Sequence, residues 1–574
     1  MFGFLAPTRP EMTGPLTNLV AAESFWRMLP HDDPIAVQIA VCETLAHPMT
    51  RGGPSLDRVR ALLALDERAR ALVDALVFGN LAGAPGSSSF EMQSWQAAFE
   101  ICRSFGRVHT QFLGSVCESP RFQDWREYLP RILLCLLLHR QIELLLRPFV
   151  DERSTRFPWK GLAEVFRFMQ SSGLLHDSLS VKRRRNANVL DTTLEREYIH
   201  VLLQDLMNGG HFPPHDALWI SQCIPRWSVA LALEPNQGRS AKSRFVVDPD
   251  GESGLVRPNP DSPESGLGLD TTSLLVSIRD EIVSLRDVPG RPSDGSSLSP
   301  GRQLKLLSKC SDLCSPERQV IARRGEREPA ALTVEVVVGL PQILRTLRNK
   351  PQAAVAAAPR PVTTSEGMTK TDYGGFTADS TIGRFGGENT IAQLSIPGEI
   401  VAHPPLTMVD DSDSGCRLHG PALAASPIIP GSLIAFRAGI EEPWTLAVVR
   451  RVKKRMAGKR VEIGAEYLGA DPRWVVVVVP DSDAGAARPP GSAPSRFAAL
   501  YLPPSAVKPV LPMKTLVLPA RGLGPEDRLS VRSRTSVHTI QLKEPLEEQA
   551  EFIWSPFEIL ERWLKDEPAS RQPG

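Results

Sequence analysis

Two short motifs in the second half of the chain carry side chains suited to holding a nucleotide. Arg323-Arg324-Gly325-Glu326-Arg327 fits RxxxR, and Asp410-Asp411-Ser412-Asp413-Ser414-Gly415 fits DxSxxG. An arginine guanidinium is a planar fork that donates two hydrogen bonds at once, to phosphate oxygens or to guanine O6 and N7, which the point charge of lysine cannot match. A carboxylate accepts from N–H groups, a hydroxyl both donates and accepts, and a glycine permits positive φ or close approach of another group. Taken singly, each motif is a weak pattern. The arginines could be a solvated run, and residues 410–415 could be an Asx-type turn between strands.

Their order and surroundings say more. The arginines stand just before Ala331-Leu332-Thr333-Val334-Glu335-Val336-Val337-Val338, a run rich in β-branched residues that ends at Gly339 and reads as a strand. Further strands are predicted at 432–437, 444–450, 460–467 and 474–479, a spacing that indicates a small barrel or sandwich. With the late strand Val461-Glu462-Ile463-Gly464-Ala465-Glu466-Tyr467, the two motifs in this order resemble the PilZ domain family over residues 316–480. The resemblance implies an antiparallel β-barrel that binds cyclic di-GMP. Arg323, Arg324 and Arg327 would clamp phosphate or guanine edges, Asp410 would accept from guanine N–H groups, Ser412 would bond to base or backbone, and Gly415 would give the ligand room. The resemblance also implies a bacterial second-messenger receptor, with control of motility, biofilm or secretion through a protein partner. Between the motifs, residues 350–389 are rich in Ala, Pro and Gly and read as a disordered insertion, whose closure cost grows only logarithmically with length.

The elements around this segment give an α+β multidomain chain. At 574 residues it is too long for one core, and its 51 prolines and 42 glycines suggest long connections. Residues 1–235 read as a helical domain. Leu56, Val59, Leu62, Leu63, Ala69, Leu72, Val73 and Leu76 recur at helical spacing behind a Ser55 N-cap, and Thr192 with Glu195 forms a capping-box pattern before a second helix. Residues 236–315 read as a mixed connector, with helices near 271–285 and 302–314 and a linker at 289–297. Residues 496–574 read as a small β-rich segment ending in a helix over Pro556–Leu564.

Composition and motif content exclude several function classes. The net charge of +1 gives no field for a nucleic-acid polymer or an anionic membrane. The apolar run from Ile132 is broken by His139, Arg140, Gln141 and Glu143, so it reads as a buried core helix and no membrane insertion is expected. The first residues lack the pattern of a secretory signal, and the eight cysteines form no CxxC pair, which suits a cytoplasmic protein with reduced thiols. Cys310 and Cys314 lie one helical turn apart without a second ligand pair, so no metal and no other cofactor is expected. The chain has no GxxxxGK[ST], HExxH or GxSxG in a nucleophile-elbow setting, and His31 beside Asp32 and Asp33 reads as a helix start or surface cluster, so no enzyme is expected. The basic runs at 182–185 and 450–455 lack interleaved aromatics, and Trp219 and Trp227 read as core. The rival to a receptor is a ligand-independent adaptor that keeps a degenerate barrel and binds a partner through the helical region.

Overall fold

The computed structural model describes residues 14–46, 55–78, 88–117, 122–150, 157–182, 189–208, 212–235, 245–247, 254–257, 266–287, 298–316, 328–349, 403–421, 428–455, 460–479, 496–506, 509–520, 523–532, 536–549 and 551–564. Arg323, Arg324, Arg327, the 350–389 insertion and the linker at 289–297 lie outside them. Contacts divide the chain into two units, residues 1–321 and residues 322–574, with the short stretch 456–458 grouped with the first.

Among the described residues, the first unit has ten α-helices. They are α1 (Leu19–Met28), α2 (Pro34–Ala46), α3 (Leu56–Phe78), α4 (Ser88–Cys117), α5 (Leu129–Leu146), α6 (Trp159–Ser171), α7 (Leu194–Asn208), α8 (Pro214–Trp227), α9 (Thr272–Asp287) and α10 (Pro300–Cys314). Ser55 caps α3 through Oγ, which accepts from the Arg58 N–H. The cap of α7 falls one residue later than the sequence predicts. Thr193 Oγ1 accepts from the Arg196 N–H, while Thr192 donates to Glu197 and Glu195 accepts from the Leu233 N–H. α5 buries nearly its whole circumference, including His139, Arg140 and Glu143, so its apolar run belongs to a central core helix. Among the described residues no helix is long and apolar enough to cross a membrane.

Two small sheets complete this unit: β1 (Leu179–Lys182) with β2 (Val189–Thr192), and β3 (Leu233–Pro235), β4 (Phe245–Val247), β5 (Leu255–Val256) and β6 (Leu267–Leu269) in the order β3-β6-β4-β5. The described residues between 236 and 315, a range expected to be a connector, are instead part of the helical core. Phe245, Leu269, Leu274, Ile278, Leu306, Leu307, Cys310 and Cys314 share one apolar cluster with Leu218, Trp219, Ile220 and Trp227. The composition of the linker at 289–297 suggested a domain boundary, but the apolar faces on both sides of it are buried in that same cluster.

The second unit holds two barrels. The first is formed by β7 (Glu328–Val338), β8 (Leu406–Ser412), β9 (Gly415–Pro421), β10 (Leu433–Arg437), β11 (Thr445–Arg455) and β12 (Arg460–Ala470), closed in the order β10-β11-β12-β9-β8-β7. α11 (Leu340–Asn349) follows β7. The second contains β13 (Arg473–Val478), β14 (Arg496–Leu502), β15 (Thr515–Pro519), β16 (Arg528–Arg532), β17 (Ser536–Leu542), β18 (Glu547–Glu548) and β19 (Phe552–Leu564). Its sheet order is β15-β14-β13-β16-β17-β19-β18, and the further β15–β19 pairing closes six of these strands into a ring. Strand for strand, the two rings have the same antiparallel topology.

Two expectations change here. Residues 474–479, expected in the first barrel, open the second, because Asp471, at φ 51°, and Pro472 turn the chain out of β12. Pro556–Leu564, expected as a helix, lies within β19. Phe557 and Ile559 alternate onto one barrel core, a period of two, and the strand pairs with both β15 and β17.

Each barrel is filled by its own apolar cluster, and a third cluster joins them. Val337, Leu433, Leu446, Val448 and Leu468 of the first barrel pack there with Leu500, Leu502, Val517 and Phe552 of the second. β10 is therefore buried on both faces, which explains its unbroken run Leu433-Ile434-Ala435-Phe436.

Candidate functional site

The DxSxxG motif forms the β8–β9 hairpin of the first barrel. Ser412 pairs with Gly415 across the two-residue turn Asp413-Ser414, and Ser412 Oγ donates to the Gly415 carbonyl at 2.8 Å. The hairpin leans on β12, where the Tyr467 N–H donates to the Ser414 carbonyl and Glu466 pairs with Gly415. A Cβ on Gly415 would stand 2.2 Å from the Ala465 carbonyl oxygen, so this position needs glycine for space. The group that approaches Gly415 closely within the barrel is therefore the β12 backbone.

Asp410 is buried, and its Oδ2 lies 2.6 Å from a guanidinium nitrogen of Arg417, directly opposite it on β9. Arg417 also faces Glu462 at 3.9 Å, and His419 lies 3.5 Å from the other Glu462 oxygen, so a polar ladder crosses β8, β9 and β12. Asp411 accepts from the Tyr467 hydroxyl. Burial, with Cys416 and Asp411 alongside, holds the Tyr467 phenol well above its ordinary value, so it remains a donor.

β7 pairs with the strand that carries this motif. Glu328, the residue immediately after Arg327, pairs in register with Asp411, and Pro329 pairs with Asp410. The described part of β7 thus begins beside the DxSxxG strand. Asp410, Ser412 and Gly415 are brought together in one hairpin, while Arg323, Arg324 and Arg327 lie outside the described residues. Sequence reasoning did not single out Arg417, Asp411, Glu462 or Tyr467 as site residues. Counting outward from a two-residue turn would have set Arg417 opposite Asp410.

The remaining sequence candidates have structural roles. Asp33 Oδ1 accepts from the Ile35 and Ala36 N–H groups at the start of α2. Trp219 and Trp227 pack edge to face in the helical core. Cys310 and Cys314 are buried there too, and burial pushes the Cys314 thiol up to about 12.

Comparison with known families adds one finding. Residues 20–237 match the family model of the cyclic-di-GMP receptor FimW, N-terminal domain. The match covers less than half of the chain and lies within the helical unit. No curated protein and no solved structure matches the chain.

Proposed function

We propose that this protein is a bacterial, cytoplasmic cyclic di-GMP receptor of PilZ type that passes the messenger's level to a protein partner. Ligand would sit at the β8–β9 end of the first barrel, between Arg323, Arg324 and Arg327 and the hairpin carrying Asp410, Ser412 and Gly415. The observation that supports this reading is the register of Glu328, the residue that follows the arginine motif in sequence, with Asp411 of the aspartate motif. The family match of residues 20–237 supports it from a different part of the chain. The chemistry is complementary: arginine forks suit two phosphates and the guanine O6/N7 edges, and a carboxylate suits the guanine N–H edge. The helical unit is the proposed partner-binding region, and motility, biofilm or secretion control is the proposed output.

The adaptor reading has one observation in its favour. Asp410 already holds Arg417, and Gly415 is required by packing, so both residues have reasons to be present without a ligand. Isothermal titration calorimetry separates the two. The receptor reading predicts saturable binding of cyclic di-GMP, weakened roughly thirty-fold to ten-thousand-fold by Arg323→Ala with Arg327→Ala, at about 1–3 kcal/mol for each bidentate contact. Absence of binding by the wild type, or unchanged affinity in a folded double variant, would leave the adaptor.

A further inference from the structure

We propose that the helical unit holds a divalent transition-metal ion, zinc by its donor set, on Asp66, His109 and His139. The three residues come from α3, α4 and α5, one each, and are almost wholly excluded from solvent. His109 Nε2 lies 2.7 Å and His139 Nε2 2.8 Å from the same oxygen, Asp66 Oδ2, and the three potential ligand atoms all fall within 4.8 Å of one another. Two imidazoles and one carboxylate are the protein ligands of many zinc sites that keep a fourth position open.

The surroundings fit that assignment. Arg70, one turn along α3, donates through Nε to Asp66 Oδ1 at 2.7 Å, which fixes the carboxylate and leaves Oδ2 turned to the histidines. Phe105 stacks on His139 with ring centroids 5.1 Å apart and planes 6° from parallel, which fixes that imidazole. His139 and Arg70 are among the residues lining a cavity of about 1430 Å³, so the site borders open space from which water could fill the fourth position.

One feature sets the expected strength. His109 Nδ1 is buried without a hydrogen-bond partner, whereas metal-bound histidines ordinarily donate from the second nitrogen, and loss of such support costs about tenfold to a hundredfold in affinity. The ion should therefore be removable by EDTA. The test uses the full-length protein, purified without immobilised-metal resin, and measures metal content by mass spectrometry. About one zinc per chain is expected; after EDTA treatment, added Zn2+ should bind at a single site and raise the melting temperature, as any ligand selective for the folded state does. His139→Gln should weaken Zn2+ binding by at least about a hundredfold, beyond what an outer-shell loss costs. A wild type that neither retains metal nor binds added Zn2+ at one site would overturn the proposal, leaving a hydrogen-bonded Asp–His–His–Arg cluster. Undiminished binding by folded His139→Gln would overturn it too.

Discussion

The two barrels have the same six-strand ring and differ where their second and third strands connect. In the first, a two-residue turn carries Asp410 to Gly415 at the barrel's edge. In the second, residues 503–514 make the connection, with prolines at 503, 504, 509 and 512, and Leu511 is buried in the cluster joining the barrels. The residue that opens the third strand is Gly415 in one and Thr515 in the other, where Thr515 accepts from the Trp554 indole N–H. The same topology accommodates both. The proposed ligand chemistry would therefore lie in the connection and the segment before the first strand, since the fold by itself assigns it to neither barrel.

This contrast is sharpest at Gly415. Gly415→Ala forces a methyl against the Ala465 carbonyl, so the first barrel should lose about 3 kcal/mol or more, read by chemical denaturation. A stability loss below about 0.5 kcal/mol, the level of ordinary surface substitutions, would show that the hairpin does not press on β12 as described. Asp410→Ala divides ligand chemistry from barrel chemistry. If Asp410 accepts from the ligand, cyclic di-GMP affinity should fall roughly ten-fold to 150-fold, corresponding to about 1.5–3 kcal/mol for a hydrogen bond involving a charged group. A folded variant with wild-type affinity would assign the carboxylate to Arg417 alone.

The join between the barrels allows a smaller test. Arg450 of β11 forks onto both Glu547 oxygens at 2.8 Å and reaches Glu466 at 2.7 Å, and Glu466 is paired with Gly415. Arg450 is more than a third exposed, so screening limits the effect, and Arg450→Ala should cost about 1 kcal/mol. The informative readout is cooperativity: the barrels should still melt together, because the apolar cluster between them is unchanged. Two separated transitions would mean that the charged contact, and not the cluster, couples them.

Acid should distinguish the helical unit. In the EDTA-treated, metal-free protein, His139 and His215 are both held below the ordinary imidazole value by burial, His215 at about 4 with Arg302 adding to the effect, so unfolding takes up protons as pH falls below about 6.5. Asp205, raised by burial to about 6, opposes this over part of the range. Two histidines against one carboxylate leave a net loss of stability between about pH 6.5 and 4, measurable from helical circular dichroism during thermal melts. In the first barrel Tyr467 is shifted upward, so its contribution is present below pH 10 and is lost as pH rises beyond it. A helical transition insensitive to acid would show that these buried groups are hydrated.

Much of this architecture was legible because its cause is local. Apolar periodicity marked α3, an interrupted apolar run marked the central helix α5, and β-branched runs marked β7 and β10 to β12. The second barrel was obscured because Val475 to Val478 are all buried and sit close in sequence to β12, so they read as one more strand of the first barrel. β19 was misread because Pro556 looks like the first residue of a helix, and only pairing with β15 and β17 shows the strand. In the site, Asp410, Ser412 and Gly415 were legible as a motif, but the partnership of Asp410 with Arg417 depends on register. Asp66, His109 and His139 stand on three helices with no common motif, and only tertiary packing brings them together.

The most direct test of the central claim is to find where cyclic di-GMP lies. A photo-crosslinking cyclic di-GMP analogue, applied to the full-length protein and mapped by mass spectrometry, should mark residues 323–327 and 410–417, with both adducts lost in the presence of excess unlabelled ligand. Competed adducts confined to residues 496–564 of the second barrel, or to residues 20–237 of the helical unit, would contradict the account and move the receptor site elsewhere in the chain.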